Sequence, residues 1–149
     1  PYKVTLDYSH SPDALENILT TVRMFTKKRV IVLFGCGGDR DHGKRPIMGE
    51  ISGKLADYSI LTSDNPRTEN PDAILEAIEE GMKLTKGKYT IIENRREAIR
   101  YALRMGREGD VIILAGKGHE TYQDVMGVKR PFDEKVVVNE LLAELREAR

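Results

Sequence analysis

The runs Val30-Ile31-Val32-Leu33-Phe34 and Val111-Ile112-Ile113-Leu114-Ala115 are apolar at all five positions, with no polar residue alternating. A strand with one face in water alternates polar and apolar side chains. An unbroken run rich in β-branched residues belongs instead to a sheet covered on both faces. Weaker strand candidates lie at 4–6, 58–62 and 89–92, and helix-length segments separate them all. That alternation predicts an α/β fold, a Rossmann-like and mostly parallel sheet with helices on both faces.

Local chemistry marks several helix starts. Ser11-Pro12 and Asn70-Pro71 each set a capping side chain before a proline suited to the first helical position. Asn94 and Glu97 have capping-box spacing, with Asn in place of the usual Ser or Thr. Asp133 is placed to open a last helix with an apolar stripe of Val137, Leu141, Leu142 and Leu145. Residues 125–129, around Gly127, read as a small hairpin near the C-terminal end.

The 149 residues amount to one domain, spanning 1–149. Because the chain opens directly on a strand-like segment, the expectation is a domain taken from a longer protein. Lys plus Arg and Asp plus Glu number 24 each, so no global field favours nucleic acid or an acidic membrane. No apolar stretch approaches spanning length, and no signal-peptide pattern is present. Cys36 is the single cysteine, which excludes an internal disulfide and fits a reducing, cytoplasmic setting.

Three loops that follow apolar runs carry the chemistry. The first, 35–46, reads GCGGDRDHGKRP; the second is Asp64-Asn65-Pro66-Arg67; the third is Gly116-Lys117-Gly118-His119-Glu120. In an open parallel sheet, loops at the carboxyl ends of the strands meet over one crevice. Guanidinium, carboxylate, amide and backbone N–H groups then converge, a mixture suited to a zwitterion more than to a bare phosphate. Gly38, Gly43 and Lys44 match the G-x-x-x-x-G-K frame of a phosphate-cradling loop. Arg45 stands where Ser or Thr should hold Mg²⁺, and Pro46 follows where a helix should already donate N–H groups. The third loop starts like G-x-G-x-x-G but has Thr121 in place of the last glycine.

Bland readings exist for each motif. Asp, Asn and Pro make ordinary turns; its functional reading depends on Arg67, a fork able to grip a carboxylate. Cys36 reads as a small strand-end residue. His10, His42 and His119 are too scattered for a metal site, and solvated charge is the expectation for Arg95 and Arg96.

Together with Asp7-Tyr8-Ser9-His10-Ser11-Pro12-Asp13, the three loops occur in an order that resembles the C-terminal domain of the Mur ligases of peptidoglycan synthesis. Within them, the resemblance is to the branch that adds diaminopimelate. It implies one domain of a three-domain, ATP-dependent enzyme whose acceptor is UDP-N-acetylmuramoyl-L-alanyl-D-glutamate. There the acceptor carboxylate becomes an acyl phosphate, the incoming amine attacks it, and phosphate leaves as the amide forms. The phosphate-binding loop and most Mg²⁺ ligands would belong to the central domain, so no catalytic residue and no metal ligand is expected here. The fragment alone would be inactive.

By the same resemblance, Arg40 and Arg67 hold carboxylates of meso-diaminopimelate, and Asp64 and Asn65 shape its distal end. The Gly116 backbone and Glu120 receive the distal ammonium. Asp7 meets the ATP ribose, with His10 near the adenine, while Lys117 and His119 face the phosphates or shape the loop. Partners would be the other two domains, with neither nucleic acid nor membrane. The competing readings are a lysine-adding sister ligase, a folylpolyglutamate synthase-like domain, and a stand-alone amino-acid or nucleotide module.

Overall fold

Every residue of the run at 30–34 is wholly buried, and its two faces meet different partners. Val30, Val32 and Phe34 pack with Leu15, Leu19, Met48 and Ile78, whereas Ile31 and Leu33 pack with Ile99, Leu103, Val137 and Leu141. A computed structural model describes residues 1–118 and 120–148. The chain runs β1 (Lys3–Asp7), α1 (Pro12–Phe25), β2 (Val30–Phe34), α2 (Lys44–Leu55), β3 (Tyr58–Leu61) and α3 (Pro71–Met82). It continues through β4 (Lys88–Ile91), α4 (Arg95–Met105), β5 (Val111–Ala115), β6 (Tyr122–Val125), β7 (Val128–Pro131) and α5 (Glu134–Glu147).

The five-stranded sheet has the order β1-β5-β2-β3-β4 and is parallel throughout. Helices α1, α2 and α3 cover one face, α4 and α5 the other. This is the expected α/β architecture. The chain steps outward from β2 to β4, then returns to insert β5 between β1 and β2. Such a reversal opens a crevice at the carboxyl ends of the strands, where all three loops lie. Among the described residues no helix is long and apolar enough to cross a membrane.

The helix starts follow the capping chemistry. Ser11 Oγ accepts the Ala14 N–H at 3.2 Å, and Asn70 Oδ1 accepts that of Asp72 at 2.8 Å. Asn94 Oδ1 accepts the Glu97 N–H at 3.0 Å, but the Glu97 carboxylate pairs with Arg100, so only half of the box forms. Asp133 Oδ1 accepts from Lys135 and Val136.

Helix α2 departs from expectation. It begins at Lys44 with Pro46 inside its first turn, where a missing N–H breaks no intrahelical bond. Pro46 therefore does not prevent a helix here. The helix packs on the core through Met48, Ile51 and Leu55 and approaches α3 closely through glycines. A Cβ on Gly49 would lie 2.0 Å from the Ile78 carbonyl oxygen, and one on Gly81 would lie 1.7 Å from that of Pro46. Backbone-to-backbone contact of α2 with α3 fixes the loop that precedes α2.

The hairpin β6–β7 turns at Met126-Gly127, both with positive φ (54° and 79°), as a tight two-residue turn requires. It docks on the second loop. The Arg67 N–H donates to the Asp124 carbonyl at 3.0 Å, and the Met126 N–H donates to the Arg67 carbonyl at 2.7 Å.

Candidate functional site

The loops meet over a cleft of about 320 Å³. The β2–α2 loop contributes Gly37 and Arg40, the start of α2 contributes Lys44, and the β3–α3 loop contributes Asp64, Asn65 and Arg67. Gly116 and Glu120 come from beyond β5, Tyr8 and His10 from beyond β1. The fold thus gathers Arg40, Asp64, Asn65, Arg67, Gly116, Glu120 and His10 around one space. A larger groove of about 710 Å³ lies at the opposite end of the sheet, lined by Lys54, Lys86 and Lys88 near the ends of α2 and α3. Lysines there complement the carboxyl ends of helices.

Glycine lets the first loop lie on the backbone of the second. The Gly38 N–H donates to the Asn65 carbonyl at 2.7 Å, and a Cβ on Gly38 would sit 1.8 Å from the Pro66 oxygen. Arg67 Nη1 donates to the Gly38 carbonyl at 2.9 Å and, more weakly, to that of Asn65 at 3.4 Å. A Cβ on Gly37 would come within 2.8 Å of the same nitrogen. One edge of the Arg67 fork is therefore fastened to main chain, and the side chain lines the cleft. Arg40 is exposed and bonds only the Asp39 carbonyl among the described residues, at 3.0 Å.

A brace beneath this loop had no sequence signal. Arg45 is nearly buried and forms a two-pronged pair with Glu69, at 2.7 and 2.9 Å, while also donating to the Gly37 carbonyl. Glu69 accepts the Asp39 N–H at 2.7 Å as well. The Arg45 hydrogen bonds hold the Glu69 carboxyl down at about 2, against a partial loss of hydration that opposes ionisation.

Lys117, expected to face the nucleotide phosphates or to shape the loop, is bonded within the protein. Its ammonium is completely buried, donating to Asn65 Oδ1 at 3.1 Å and to the Tyr122 carbonyl at 2.8 Å. Asp64 Oδ1 lies 3.3 Å away and Glu120 Oε1 3.6 Å away. Facing a phosphate would strip a buried cation of these partners. His119, its companion in that expectation, lies outside the described residues.

Asp7, at the end of β1, accepts the Ser9 N–H through Oδ2 at 2.8 Å, and its carbonyl takes the Gly116 N–H at 3.0 Å. The exposed His10 donates from Nδ1 to the Tyr8 carbonyl at 2.8 Å, and the two rings meet edge-on with centroids 6.0 Å apart. Lys44 Nζ reaches the His10 carbonyl at 2.9 Å.

Burial pushes the Cys36 thiol up to about 12, which leaves no thiolate for nucleophilic chemistry. Arg95 overturns the expectation of solvated charge. It is wholly buried, donates to Glu134 Oε2 at 2.7 Å, and reaches the Ser63 and Ala115 carbonyls at 3.1 Å each. Arg96 is the exposed one of the two, paired with Glu140. Among the described residues no group of three or more His, Cys, Asp or Glu side chains is placed to hold a metal ion.

Residues 1–118 match the family described as Mur ligase, glutamate ligase domain. The chain belongs to that family. Two curated relatives, from Caldanaerobacter subterraneus subsp. tengcongensis and Alkaliphilus metalliredigens, are both UDP-N-acetylmuramoyl-L-alanyl-D-glutamate–2,6-diaminopimelate ligases. They are 56% and 54% identical to this Mur ligase domain over 143 residues, 96% of the chain. A solved structure of a ligase of that name is 40% identical over 96% of the chain, with a TM-score of 0.91. The domain spans about 30% of the length of the relatives it matches, and 29% of the solved chain.

Proposed function

We propose that this Mur ligase domain receives the incoming amino acid in an ATP-dependent amide ligase, and that this amino acid is meso-diaminopimelate. The acceptor would be UDP-N-acetylmuramoyl-L-alanyl-D-glutamate, and the central and N-terminal domains of a longer cytoplasmic protein would complete the enzyme. The observation that carries this reading is the pairing, in one cleft, of two guanidinium side chains, Arg40 and Arg67, with the Asp64 and Glu120 carboxylates. Such a cleft complements a ligand carrying both carboxylate and ammonium ends. With its N–H taken by Asp7, Gly116 offers its carbonyl to an ammonium.

The other side of the cleft suits a nucleoside. Tyr8 is 48% exposed and, edge-on to His10, presents an aromatic face for a base, while Asp7 stands at the neighbouring strand end as a hydroxyl acceptor. ATP, when bound, supplies the activating phosphoryl group; the residues of this chain hold the amine donor and cover the nucleotide. The ligands of Mg²⁺ are assigned mainly to the central domain of the longer enzyme. A ligand that bridges domains favours closure between them during turnover.

Lysine has no distal carboxylate and leaves the free edge of the half-buried Arg67 without an anion. Losing one partner of such a pair is worth at least about 2 kcal/mol, or roughly 30-fold. In the full-length ligase, Arg67→Ala is expected to raise the KM for diaminopimelate by roughly that factor, with a much smaller change for lysine. Steady-state phosphate release with each amino acid checks this, and equal losses for the two would remove Arg67 from the site.

A further inference from the structure

The cleft as assigned leaves the buried Lys117 beneath it without a role. Lys117 has no exposed side-chain surface, and its ammonium lies against three residues of the ligand cleft at once: Asn65, Asp64 and Glu120. We propose that Lys117 is a positioning and specificity-determining residue for the amino-acid site. It orients the Asn65 amide, and it neutralises one of the two carboxylates at the ammonium-binding end. The inference rests on the proposed function and deepens it.

Orientation follows from the donors around Asn65. Its Oδ1 accepts from Lys117 Nζ at 3.1 Å and from the Asp124 N–H at 2.9 Å. Two donors on one atom assign it as the carbonyl oxygen and direct the NH₂ toward Glu120 Oε1, 3.4 Å away. The NH₂ is thereby set as a donor on the ligand side of a residue that is itself almost fully buried. The hairpin reinforces the arrangement, because Gln123 Nε2 donates to the Asp64 carbonyl at 2.7 Å and the Tyr122 carbonyl accepts from Lys117.

Charge counting gives the second part. Asp64 and Glu120 bring two negative charges, and Lys117 returns one positive charge between them. One net negative charge remains, matched to a single ligand ammonium. Asp64 Oδ1 is buried and makes no hydrogen bond among the described residues, so the Lys117 ammonium is what faces it. Without that ammonium the end of the pocket would carry two negative charges. A ligand with a carboxylate beside its distal ammonium would be repelled, whereas one with the ammonium alone would be tolerated.

The test is the ratio of kcat/KM for diaminopimelate to that for lysine, measured in the full-length ligase. Lys117→Met is expected to lower the ratio roughly 30-fold or more, with the KM for ATP unchanged. Lys117→Gln, which retains a donor for Asn65 and for the Tyr122 carbonyl, lowers it too because the charge is gone. Adding Asp64→Asn to Lys117→Gln restores the count of one negative charge and moves the ratio back toward wild type. A merely structural lysine would depress both amino acids equally and show no such recovery.

Equal losses for both amino acids overturn the inference, as does a rise in the KM for ATP with the ratio unchanged. So does failure of the Asp64→Asn addition to recover the ratio. A wild-type ligase that shows no diaminopimelate-dependent phosphate release overturns the proposed function and this inference with it. Wild-type turnover with an unaltered ratio in the variants overturns the inference alone.

Discussion

Arg95 and Lys117 are both withdrawn completely from water, and both sit at the carboxyl end of β5, yet they hold different things. Arg95 Nη2 donates to the Ala115 carbonyl, and Lys117 follows two residues later. The remaining partners of Arg95 are the Ser63 carbonyl and Glu134, the first residue of α5, so it joins the ends of two strands to the starts of two helices. Neither Arg95 nor Glu134 lines the cleft. The ammonium of Lys117 instead lies among side chains that do. Burial marks a charge as costly to move; the partners decide whether its loss appears in stability or in recognition.

The strongest way to break that contrast is to remove Arg95. Arg95→Met leaves Glu134 as a lone buried carboxylate and deprives two carbonyls of their donor. The expected cost is about 3–5 kcal/mol, a fall in Tm of roughly 10–15 °C for a domain of this size. Arg95→Met combined with Glu134→Leu exchanges the pair for apolar volume and is expected to lose less than the single variant. Thermal unfolding of both variants reads the difference. The contrast fails if Arg95→Met leaves Tm in place and shifts the amino-acid selectivity.

Between these extremes lies the Arg45–Glu69 brace, with an arginine almost fully buried and a carboxylate 20% exposed. Hydrogen bonds from Arg45 hold the Glu69 carboxyl at about 2, below its ordinary 4.5. A carboxyl depressed in the folded state contributes stability that is complete above its unfolded value and is lost as pH falls toward its folded one. The contribution of Glu69 therefore disappears between about pH 4.5 and 2. Glu69→Gln should be less stable than wild type at neutral pH, and the two should converge across that acid window in urea unfolding. A constant difference down to pH 2 would mean that the ion pair does not support the loop.

Sequence revealed what depends on neighbouring residues and missed what depends on distant ones. The strand runs at 30–34 and 111–115 declare two-sided burial by composition alone, and Ser11, Asn70, Asn94 and Asp133 bond within three residues of themselves. Helix α2 gave a weaker sign, because its close approach to α3 rests on Gly49 as well as on apolar side chains. The loops forming the cleft were visible through their concentration of glycine and charge. Their supports were not. Glu69 lies 24 residues from Arg45, Glu134 lies 39 from Arg95, and Lys117 reaches back 52 to Asn65. No periodicity or spacing connects such pairs until the sheet brings them together.

Arg96 gives the finest test, because it differs from Arg95 by one step along the chain. Successive helical residues point about 100° apart, so the first turn of α4 sends one guanidinium into the core and the other toward solvent. Arg96 keeps 36% of its side chain exposed and reaches Glu140 at 3.1 Å and Glu144 at 4.0 Å across the surface. As a cation at a helix N-terminus it opposes the helix dipole, which offsets part of whatever those exposed pairs supply. Arg96→Ala is therefore expected to change stability by less than about 0.5 kcal/mol, with selectivity untouched. A loss above about 1 kcal/mol in urea unfolding would place Arg96 with the buried cations and show that exposure does not separate these neighbouring arginines.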